Sequence, residues 1–428
     1  MELTVGYIAI RDIRFGAATE VKDGVLIINK DELVALLGQD DHLAGIEVDL
    51  ARPGERIRIM PVKDVIEPRV KVEGPGNMFP GMLGKLEMVG WGRTHVLQGA
   101  AVVSCGKIVG FQEGIIDMSG PGALYSPFGQ TNNVVLVIEP VQDLPPHDHE
   151  AAVRRAGLKA AAYLGEAGRG IEPDRSKVYE HLPLPRALSS YPDLPRVVYV
   201  YMLQTQGLLH DTWVYGVDAK RILPTLISPT EVMDGAIVSG NCVSACDKNP
   251  TYFHQNNPVI HDLYERHGKE LNFTGVIITN ENVTLADKER SSGYVAQLVK
   301  FLNPDGAIIS AEGFGNPDTD LMMNCVKISR QGVKTVLLTD EYAGRDGASQ
   351  SLADTAPEAE AVISAGNANQ MITLPSMEKV IGYPQAANII AGGFNGSLEA
   401  DGSVSVETQA ITGATCELGF GFLSAREY

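Results

Sequence analysis

Two cysteines near the middle of the chain, in the stretch SGNCVSACDK, are placed so that one of them could react with its own backbone. Cys242 directly follows Gly240 and Asn241, and Cys246 comes shortly after. A cysteine thiol can attack the carbonyl carbon of the preceding residue and form a thioester, and a neighbouring glycine gives the backbone the freedom that a strained turn needs. Hydrolysis would leave an N-terminal cysteine nucleophile. Elimination of the sulfur would give dehydroalanine, which rearranges and loses ammonia to leave a pyruvoyl group.

The other cysteines do not point to a disulfide or a metal. Cys105, Cys325 and Cys416 are scattered, and an odd total of 5 cysteines is not a disulfide framework. A reducing compartment is therefore expected. Cys242 and Cys246 are separated by three residues rather than two, and no second pair follows them, so the spacing does not indicate a zinc site. We predict no metal.

Length and charge limit the class of protein. A chain of 428 residues predicts two or three domains. Its 35 Lys and Arg residues against 53 Asp and Glu residues give a net charge of −18, which argues against nucleic acid and anionic membranes as partners. The sequence shows neither a secretory signal nor an apolar run long enough to span a membrane. We therefore expect a soluble cytoplasmic protein.

The pattern of apolar residues predicts an α/β protein in three parts. Short alternating runs broken by Gly, Pro and Asp predict a β-rich N-terminal domain over residues 1–120. An α/β region over 121–241 contains the buried strands NNVVLVIEPV and RVVYVYMLQ, the helix EAAVRRAGLKAAAYLGEAG, and a capping box in which Ser228 precedes Glu231. Over 242–428, apolar strands alternate with helices, which predicts a doubly wound, mostly parallel domain.

Polar residues follow the strands of this last domain. Asn280 and Glu281 end one predicted strand, Glu312 follows the next, and Asp340 follows a third. Because such sheets bind ligands at the carboxyl ends of their strands, these four residues are the predicted substrate-binding residues. Helix capping and solvation would explain them equally well.

Two glycine-rich stretches are not nucleotide-binding motifs. GFGNPD has two of the three dinucleotide glycines, and GPGNMFPGMLGKLEMVGWG lacks the spacing of a phosphate loop. The residues Asn316 and Pro317 in the first stretch predict a helix that begins with an Asn cap, and its backbone N–H groups could bind the carboxylate of a substrate.

Several blocks spread over nearly the whole chain resemble one family, the precursor subunit of component B of the glycine, sarcosine and betaine reductases. The blocks that carry this resemblance are RPGERIRIMPVKDVIEPRVKVEGPGNMFPGM, CGKIVGFQEGIIDMSGP, QGLLHDTWVYGVDAK, SGNCVSACDK, NNPVIHDLYERHGK, ITNENVTLADKERSS and GNPDTDLMMNC. The resemblance implies cleavage before Cys242 into fragments 1–241 and 242–428, with a pyruvoyl group on the second. Ala245 stands where some relatives are expected to have proline, which leaves the rigidity of the turn open.

The resemblance also implies a reaction and its partners. The amine of glycine, or of an N-methylated glycine, would form a Schiff base with the pyruvoyl carbonyl. A selenol would then attack the α-carbon, releasing ammonia and leaving a carboxymethyl selenoether. That selenol would come from a selenocysteine-containing subunit of component B and from the small selenoprotein component A, while component C would release acetyl phosphate. Betaine has no N–H and cannot form a Schiff base, so glycine is the expected substrate, with sarcosine and betaine as alternatives.

Two other classes of function stay open from the residues themselves. An N-terminal-nucleophile amidohydrolase would keep Cys242 with a free α-amine after cleavage. A non-catalytic binding or scaffold subunit would stay one chain with inert thiols. Cys246 either assists the elimination, for example by shuttling protons, or is only a packed thiol.

Overall fold

A computed structural model describes residues 1–240 and 245–420 and the backbone of residues 424–427. Asn241 and Cys242 lie outside the described residues. The strands of the first half of the chain are β1 (Glu2–Ala9), β2 (Asp12–Phe15), β3 (Glu20–Lys22), β4 (Val25–Ile28), β5 (Leu43–Ala51), β6 (Ile57–Ile66), β7 (Arg69–Glu73), β8 (Gly92–Gln98), β9 (Ala100–Gly106), β10 (Gly114–Asp117), β11 (Asn132–Pro140), β12 (Arg175–Glu180), β13 (Arg196–Leu203), β14 (Thr212–Val214), β15 (Val217–Asp218), β16 (Thr225–Ile227) and β17 (Ile237–Ser239).

The strands of the second half are β18 (Asn272–Asn280), β19 (Gly306–Ser310), β20 (Lys334–Glu341), β21 (Ala361–Asn367), β22 (Met371–Leu374), β23 (Lys379–Gly382), β24 (Val404–Glu407) and β25 (Ser424–Glu427). The α-helices are α1 (Lys30–Leu37), α2 (Pro146–Glu166), α3 (Leu184–Ser190), α4 (Pro229–Met233), α5 (Thr251–Gln255), α6 (Pro258–Arg266), α7 (Leu285–Leu302) and α8 (Asn316–Ser329). In these described ranges, no helix is both long enough and apolar enough to cross a membrane.

The predicted α/β class is confirmed, and the N-terminal part is rich in β-strands. One sheet has the order β12-β1-β8-β7, and a second has the order β10-β6-β9-β11-β5 with β23 paired to β6. The second sheet packs against α2 through apolar residues of one face of each. Residues of β6 are buried along its whole length, although it carries three charged side chains, because both of its faces are covered.

The sheet in the C-terminal part has the order β16-β18-β13-β19-β20-β21-β25. Strands β18, β13, β19, β20 and β21 run parallel, and the two edge strands are antiparallel. Helices α7 and α8 pack on one face of this sheet, and α5 and α6 pack on the other. In chain order, the parallel strands read 2-1-3-4-5, and in such a sheet the strand order reverses between β13 and β19. A ligand is expected at the carboxyl ends of these two strands.

Strands from both sides of Asn241 build both large sheets. β13 and β16 precede Asn241 and lie in the C-terminal sheet, while β23 follows it and pairs with β6 in the N-terminal part. One core cluster runs across both parts and contains, among others, Ile59, Val103, Phe253 and Ile278. The division at residues 241 and 242 stays a prediction, and the segments on its two sides are interleaved.

Two helix starts show how local sequence sets the ends of elements. α4 begins as predicted, with Pro229 first and a capping box in which the Ser228 backbone N–H donates to Glu231 Oε2 at 2.8 Å. α8 begins one residue earlier than predicted, since Gly315 is its cap and Asn316 its first residue. Gly315 has φ of +88°, a conformation that glycine adopts without the cost that a side chain would add.

A buried ion pair in the N-terminal part also contacts the backbone at Pro375, in the C-terminal half of the chain. Arg58 is bidentate to Asp117, with N–O distances of 2.6 and 2.8 Å, and also donates to the carbonyl of Pro375 at 3.0 Å.

Arg58→Met leaves a buried carboxylate without its cation, so we expect a loss of about 3–5 kcal/mol of stability, seen as a lower Tm in calorimetry. Arg58→Met combined with Asp117→Leu should recover most of this loss, and a Tm as low as that of the single variant would contradict the explanation.

Candidate active site at the strand ends

The residues on both sides of the Asn241-Cys242 bond are held against each other. The Ser239 backbone N–H donates to Thr251 Oγ1 at 3.0 Å, and Lys248 Nζ donates to the carbonyl of Gly240 at 2.7 Å. Thr251 in turn donates to the buried carboxylate of Asp64 at 2.7 Å. These hydrogen bonds bring Ser239 and Gly240, before the bond, into contact with Lys248 and Thr251, after it.

Gly240 is required by close packing rather than by an unusual φ. Its N–H donates to the carbonyl of Asp211, and a Cβ atom at this position would overlap the carbonyl oxygen of His210. The sequence predicted that a glycine beside Cys242 gives the backbone freedom. The structure gives a different reason, because Gly240 is not among the residues of positive φ and only glycine lets the segment at 210–211 approach so closely.

Lys248 brings a positive charge to the buried carbonyl of Gly240. Its side chain is 3% exposed, and it also donates to the carbonyl of Lys63. Burial raises the pKa of Asp64 to about 6, and the nearby charge of Lys248 opposes that rise. The same ammonium acts on the carboxyl of Glu312. Lys248 therefore binds the carbonyl of Gly240, before the Asn241-Cys242 bond, and its charge also acts on the buried carboxyls of Asp64 and Glu312.

The segment that begins at Ala245 lies across the ends of the parallel strands. The carbonyls of Ala245 and Cys246 accept hydrogen bonds from the N–H groups of Gly413 and Thr415, at 2.6 and 3.0 Å. The N–H of Asn249 donates to Glu312 Oε1 at 2.7 Å, just beyond the end of β19. The structure thus places the segment from Ala245 to Asn249 at the edge of the sheet where a ligand is expected.

Cys246 lies in this segment, among acidic and hydroxyl groups. Its Sγ is 3.3 Å from the hydroxyl of Tyr342, 3.7 Å from Asp247 Oδ1 and 4.0 Å from Asp340 Oδ2. Burial raises the pKa of the Cys246 thiol well above its ordinary value, and the charges of Asp247 and Asp340 raise it further. Cys246 is therefore a protonated thiol at neutral pH and a poor nucleophile.

This environment predicts the behaviour of a Cys246 variant. Cys246→Ser keeps a small group that can donate to the same acceptors, so we expect the purified variant to be cleaved at residues 241–242 to the same extent as the parent. The fraction of cleaved chain on a denaturing gel measures this. If the variant folds and yet stays uncleaved, Cys246 takes part in the elimination and is not only a packed thiol.

Cys246, Asp247 and Asp340 are also close enough to share a cation. One ligand atom from each lies within 4.8 Å of the other two. Asp340 Oδ2 accepts a hydrogen bond from Thr415 Oγ1 at 2.7 Å, and Cys246 contacts Tyr342, so hydrogen bonds account for these two groups without an ion. Burial raises the pKa of Asp340 well above its usual range, and the charge of Asp247 adds to this rise. We assign no metal here.

Three glutamates form the centre of the site. Glu281, Glu312 and Glu417 are 2%, 1% and 1% exposed, and they lie after β18, after β19 and in the segment that pairs with Ala245 and Cys246. Burial raises the pKa of all three, to about 8 for Glu312 and well above the usual range for the others. For Glu281 and Glu417, the charge of Glu312 is the second largest cause of the raised pKa. A carboxyl with a pKa near neutrality is suited to exchange protons with a substrate.

The four predicted substrate-binding residues are all buried at the strand ends, but not with the same surroundings. Glu281 and Glu312 belong to the glutamate cluster, and Asp340 contacts Cys246. Asn280 instead uses its side chain within the fold, since its amide donates to the carbonyl of Ile222 at 2.9 Å and its oxygen accepts from Ser291 at 2.9 Å. Its role in substrate binding stays a prediction that these contacts do not favour.

The start of α8 is acidic rather than open to an anion. Asp318 and Asp320 are buried in or next to the first turn, and Asp318 Oδ2 accepts from the Ala353 N–H at 2.6 Å. Lys288 donates to Asp320 and to the carbonyl of Asn316. These carboxyls oppose a second negative charge, so the prediction that a substrate carboxylate binds at Asn316 and Pro317 gains no support.

Sequence reasoning missed several residues of the site, among them Gln204, Asp247, Lys248, Asn249 and Glu417. Gln204 was within reach, because it is the last residue of the predicted strand RVVYVYMLQ and the rule for strand ends applies to it. Asp247 and Asn249 lie just after Cys246, yet nothing in their types indicates which way they face. Glu417 follows no predicted strand, and only the folded chain brings it to Asn249.

Comparison with known proteins places the chain among amino-acid reductase subunits. A family model described as glycine/sarcosine/betaine reductase component B subunits matches residues 1–426. The chain is 66% identical to the glycine reductase complex component B subunits alpha and beta of Acetoanaerobium sticklandii, and 64% identical to the protein of that name from Peptoclostridium acidaminophilum. It is 58% identical to the sarcosine reductase complex component B subunit alpha of Peptoclostridium acidaminophilum. Each alignment covers 100% of both chains. No solved structure matches.

Proposed function

Because the chain belongs to the family of glycine, sarcosine and betaine reductase component B subunits, we propose that it is a proprotein that cleaves itself between Asn241 and Cys242. The observation that carries this proposal is that the described residues on both sides of that bond are held in place, with Lys248 on the carbonyl of Gly240 and Asn249 on Glu312. The name of the most similar relatives described above also supports it, since one chain of the same extent is named as two subunits, alpha and beta.

The proposed maturation uses the chain's own atoms and water. Cys242 Sγ bonds to the carbonyl carbon of Asn241 as the C–N bond breaks, which leaves a thioester and a free α-amine. Elimination then breaks the Cβ–S bond, and Asn241 leaves as a thiocarboxylate that water converts to a carboxylate and hydrogen sulfide. The dehydroalanine tautomerises to an imine, and water replaces its nitrogen as ammonia, which leaves a pyruvoyl group. No external oxidant or reductant is needed.

The pyruvoyl carbonyl supplies an electrophile that binds the amine of glycine as a Schiff base and draws electrons from the C–N bond. The described residues that follow this position, Ala245 and Cys246, are buried, and their segment contacts a carboxyl of raised pKa, Glu312, through the N–H of Asn249. Glu281, Glu312 and Asp340 remain the proposed substrate contacts.

The attacking selenol must come from another protein. The described free cysteines, Cys105, Cys246, Cys325 and Cys416, are all buried, and the sequence contains no selenocysteine. We therefore infer that a selenocysteine-containing subunit of component B attacks the α-carbon with release of ammonia. The small selenoprotein component A would then take over the carboxymethyl group, and component C would release acetyl phosphate. The subunit would act only within this complex.

Glycine is the proposed substrate. The identity is 66% and 64% to the two proteins named for glycine reductase and 58% to the one named for sarcosine reductase. Sarcosine remains the second candidate, because its secondary amine can also add to a carbonyl. Betaine, the third, could not use the carbonyl in this way.

The two fragments should remain together after cleavage. β13 would belong to the first fragment and pairs with β18 and β19 of the second, while β23 of the second pairs with β6 of the first. Separation would expose the shared core and break these strand pairs, so a cleaved protein should elute as one species under native conditions.

The proposal is tested on purified protein by a denaturing gel, intact mass and Edman degradation. Two fragments of which the second is blocked to Edman degradation support the pyruvoyl group. A readable cysteine at the start of the second fragment would instead support an amidohydrolase with Cys242 as its nucleophile. A single uncleaved chain would support a binding or scaffold subunit.

A further inference from the structure

A chain of hydrogen bonds connects the end of β17 to a carboxylate of the N-terminal part. Ser239, the last residue of β17, donates its backbone N–H to Thr251 Oγ1 at 3.0 Å. Thr251, the first residue of α5, donates its hydroxyl to Asp64 Oδ2 at 2.7 Å and its backbone N–H to Asp64 Oδ1 at 2.9 Å. Asp64 belongs to β6. Three segments far apart in the sequence are thus tied together by one hydroxyl and one carboxylate.

Asp64 is a fixed anchor for this chain of hydrogen bonds. It lies in a strand that is buried along its whole length and is paired with β9 on one side and β10 on the other. Its Oδ1 also accepts from the backbone N–H of Val65 at 2.9 Å. Thr251 and Ser239 are buried as well. A side chain that is held by a rigid strand and by several hydrogen bonds can define the position of its partners closely.

The same chain of hydrogen bonds reaches Gly240, the last described residue before the bond to be cleaved. The N–H of Gly240 donates to the carbonyl of Asp211. Its carbonyl accepts from Ser239 Oγ at 3.1 Å and from Lys248 Nζ at 2.7 Å. Both backbone groups of Gly240 are therefore held, and Ser239, which Thr251 fixes, supplies one of these contacts.

Stability alone is a weak reason for a buried carboxylate at this position. Removing a charge from water has a cost that offsets much of what its hydrogen bonds contribute, although breaking such a network leaves a buried group without its partner. What a satisfied buried network does provide is a defined geometry. Asp64 and Thr251 provide it for the strand that leads directly into the Asn241-Cys242 bond.

We propose that Asp64 and Thr251 are positioning residues for self-cleavage, in which Asp64 fixes Thr251 and Thr251 fixes the strand before the bond. The inference rests on the proposed function, because that cleavage is the reaction being positioned. The two residues act through Ser239 and Gly240, so neither is a catalytic residue. Asp64 and Ser239 precede the bond and Thr251 follows it, so these hydrogen bonds also join the two fragments once the bond is cut.

The first test changes Thr251 and follows cleavage against time after cell-free synthesis of the full chain. Thr251→Val keeps the shape of the side chain but removes both the acceptor for Ser239 and the donor to Asp64. Because a misplacement of about 1 Å can cost on the order of a hundredfold in rate, we expect cleavage to be slower by about 10- to 100-fold. Thr251→Ser keeps the hydroxyl and should be cleaved at close to the wild-type rate.

Thr94→Val is the matched control. Thr94 is also a buried threonine of which the hydroxyl accepts one hydrogen bond, from Lys71 Nζ at 3.3 Å, and donates another to a buried carboxylate, Asp234 Oδ1, at 2.6 Å. Thr94→Val and Thr251→Val should lower the Tm to a similar extent, measured in the Cys242→Ala chain so that cleavage does not affect the comparison. Thr94→Val should leave the rate of cleavage unchanged at a temperature well below either Tm.

A double variant tests whether Asp64 and Thr251 act as one unit. Asp64→Asn keeps the size of the side chain but replaces one acceptor oxygen with an N–H donor group, so it should also slow cleavage. Residues that act through the same chain of hydrogen bonds are not additive. Asp64→Asn combined with Thr251→Val should therefore be no slower than the slower of the two single variants.

Each contrary outcome overturns the inference. It is wrong if Thr251→Val is cleaved as fast as the wild type, if Thr251→Ser is as slow as Thr251→Val, if Thr94→Val slows cleavage equally, or if the two effects multiply in the double variant. If Thr251→Val does not fold, Asp64→Asn decides, and its cleavage at the wild-type rate is the contrary result. These results leave the proposed function intact as long as the wild type is cleaved. A wild type that stays one chain overturns the proposed function and the inference together.

Discussion

A Cys242→Ala chain is expected to stay a single polypeptide of 428 residues, with no detectable second fragment, under conditions in which the wild type is cleaved. Alanine has no nucleophile for the carbonyl of Asn241 and no sulfur to eliminate, so both steps of the proposed maturation are lost. The neighbouring hydrogen bonds of Gly240 and Lys248 involve backbone carbonyls that the substitution leaves in place. The fold should therefore persist, and the intact mass of the purified variant gives the result.

The control removes a different buried thiol. Cys416 is fully buried and contacts Asn249, so Cys416→Ala perturbs the same region without removing the proposed nucleophile. This variant should be cleaved like the wild type. If Cys242→Ala gives the same two fragments as the wild type, a protease of the host makes the cut and the proposed self-cleavage is wrong.

Much of the C-terminal sheet was predictable because of the way parallel strands are buried. Apolar strands alternating with helices were predicted over 242–428, and β18, β19, β20 and β21 are strands of this kind. Strands covered by helices on both faces are continuously apolar, which makes them visible in a sequence. The carboxyl ends of these strands were then correctly placed at one edge, where Glu281, Glu312 and Asp340 are buried.

The local sequence pattern of a strand does not predict which other strand it pairs with. β13 lies between β18 and β19, although more than sixty residues separate it from β18, and β23 adds to a sheet formed by the N-terminal part. A strand's own residues report its burial but not its neighbour, because that choice depends on the packing of the whole core. The interleaving of the two predicted fragments was therefore not visible in the sequence.

The directions of single side chains in the site were equally hard to predict from the sequence. Asn280 and Glu281 are adjacent in sequence and were predicted to act together, but successive side chains of an extended chain point to opposite sides. Asn280 binds Ile222 and Ser291, whereas the carboxyl of Glu281 contacts the side chain of Gln204. Glu417 completes the cluster from a segment whose local pattern indicates neither a strand end nor a motif.

The second large effect is expected at Lys248. Lys248→Met removes the ammonium that holds the carbonyl of Gly240, which belongs to the peptide bond before the one to be cleaved. Attack on a carbonyl carbon requires the nucleophile to be held in contact with it, and a misplacement of about 1 Å can cost on the order of a hundredfold in rate. We expect cleavage of Lys248→Met to be slower by about that factor, measured as the fraction of cleaved chain against time after synthesis in a cell-free system.

Lys288→Met is the matched control for this prediction. Lys288 is also 3% exposed and also donates to a backbone carbonyl, that of Asn316, but it lies on α7 and pairs with Asp320. Its loss should lower the Tm without slowing cleavage. Lys248→Arg keeps the positive charge and the ability to donate to Gly240, so it should restore part of the rate. If Lys248→Met folds and is cleaved as fast as the wild type, the hydrogen bond to Gly240 does not position the bond for reaction.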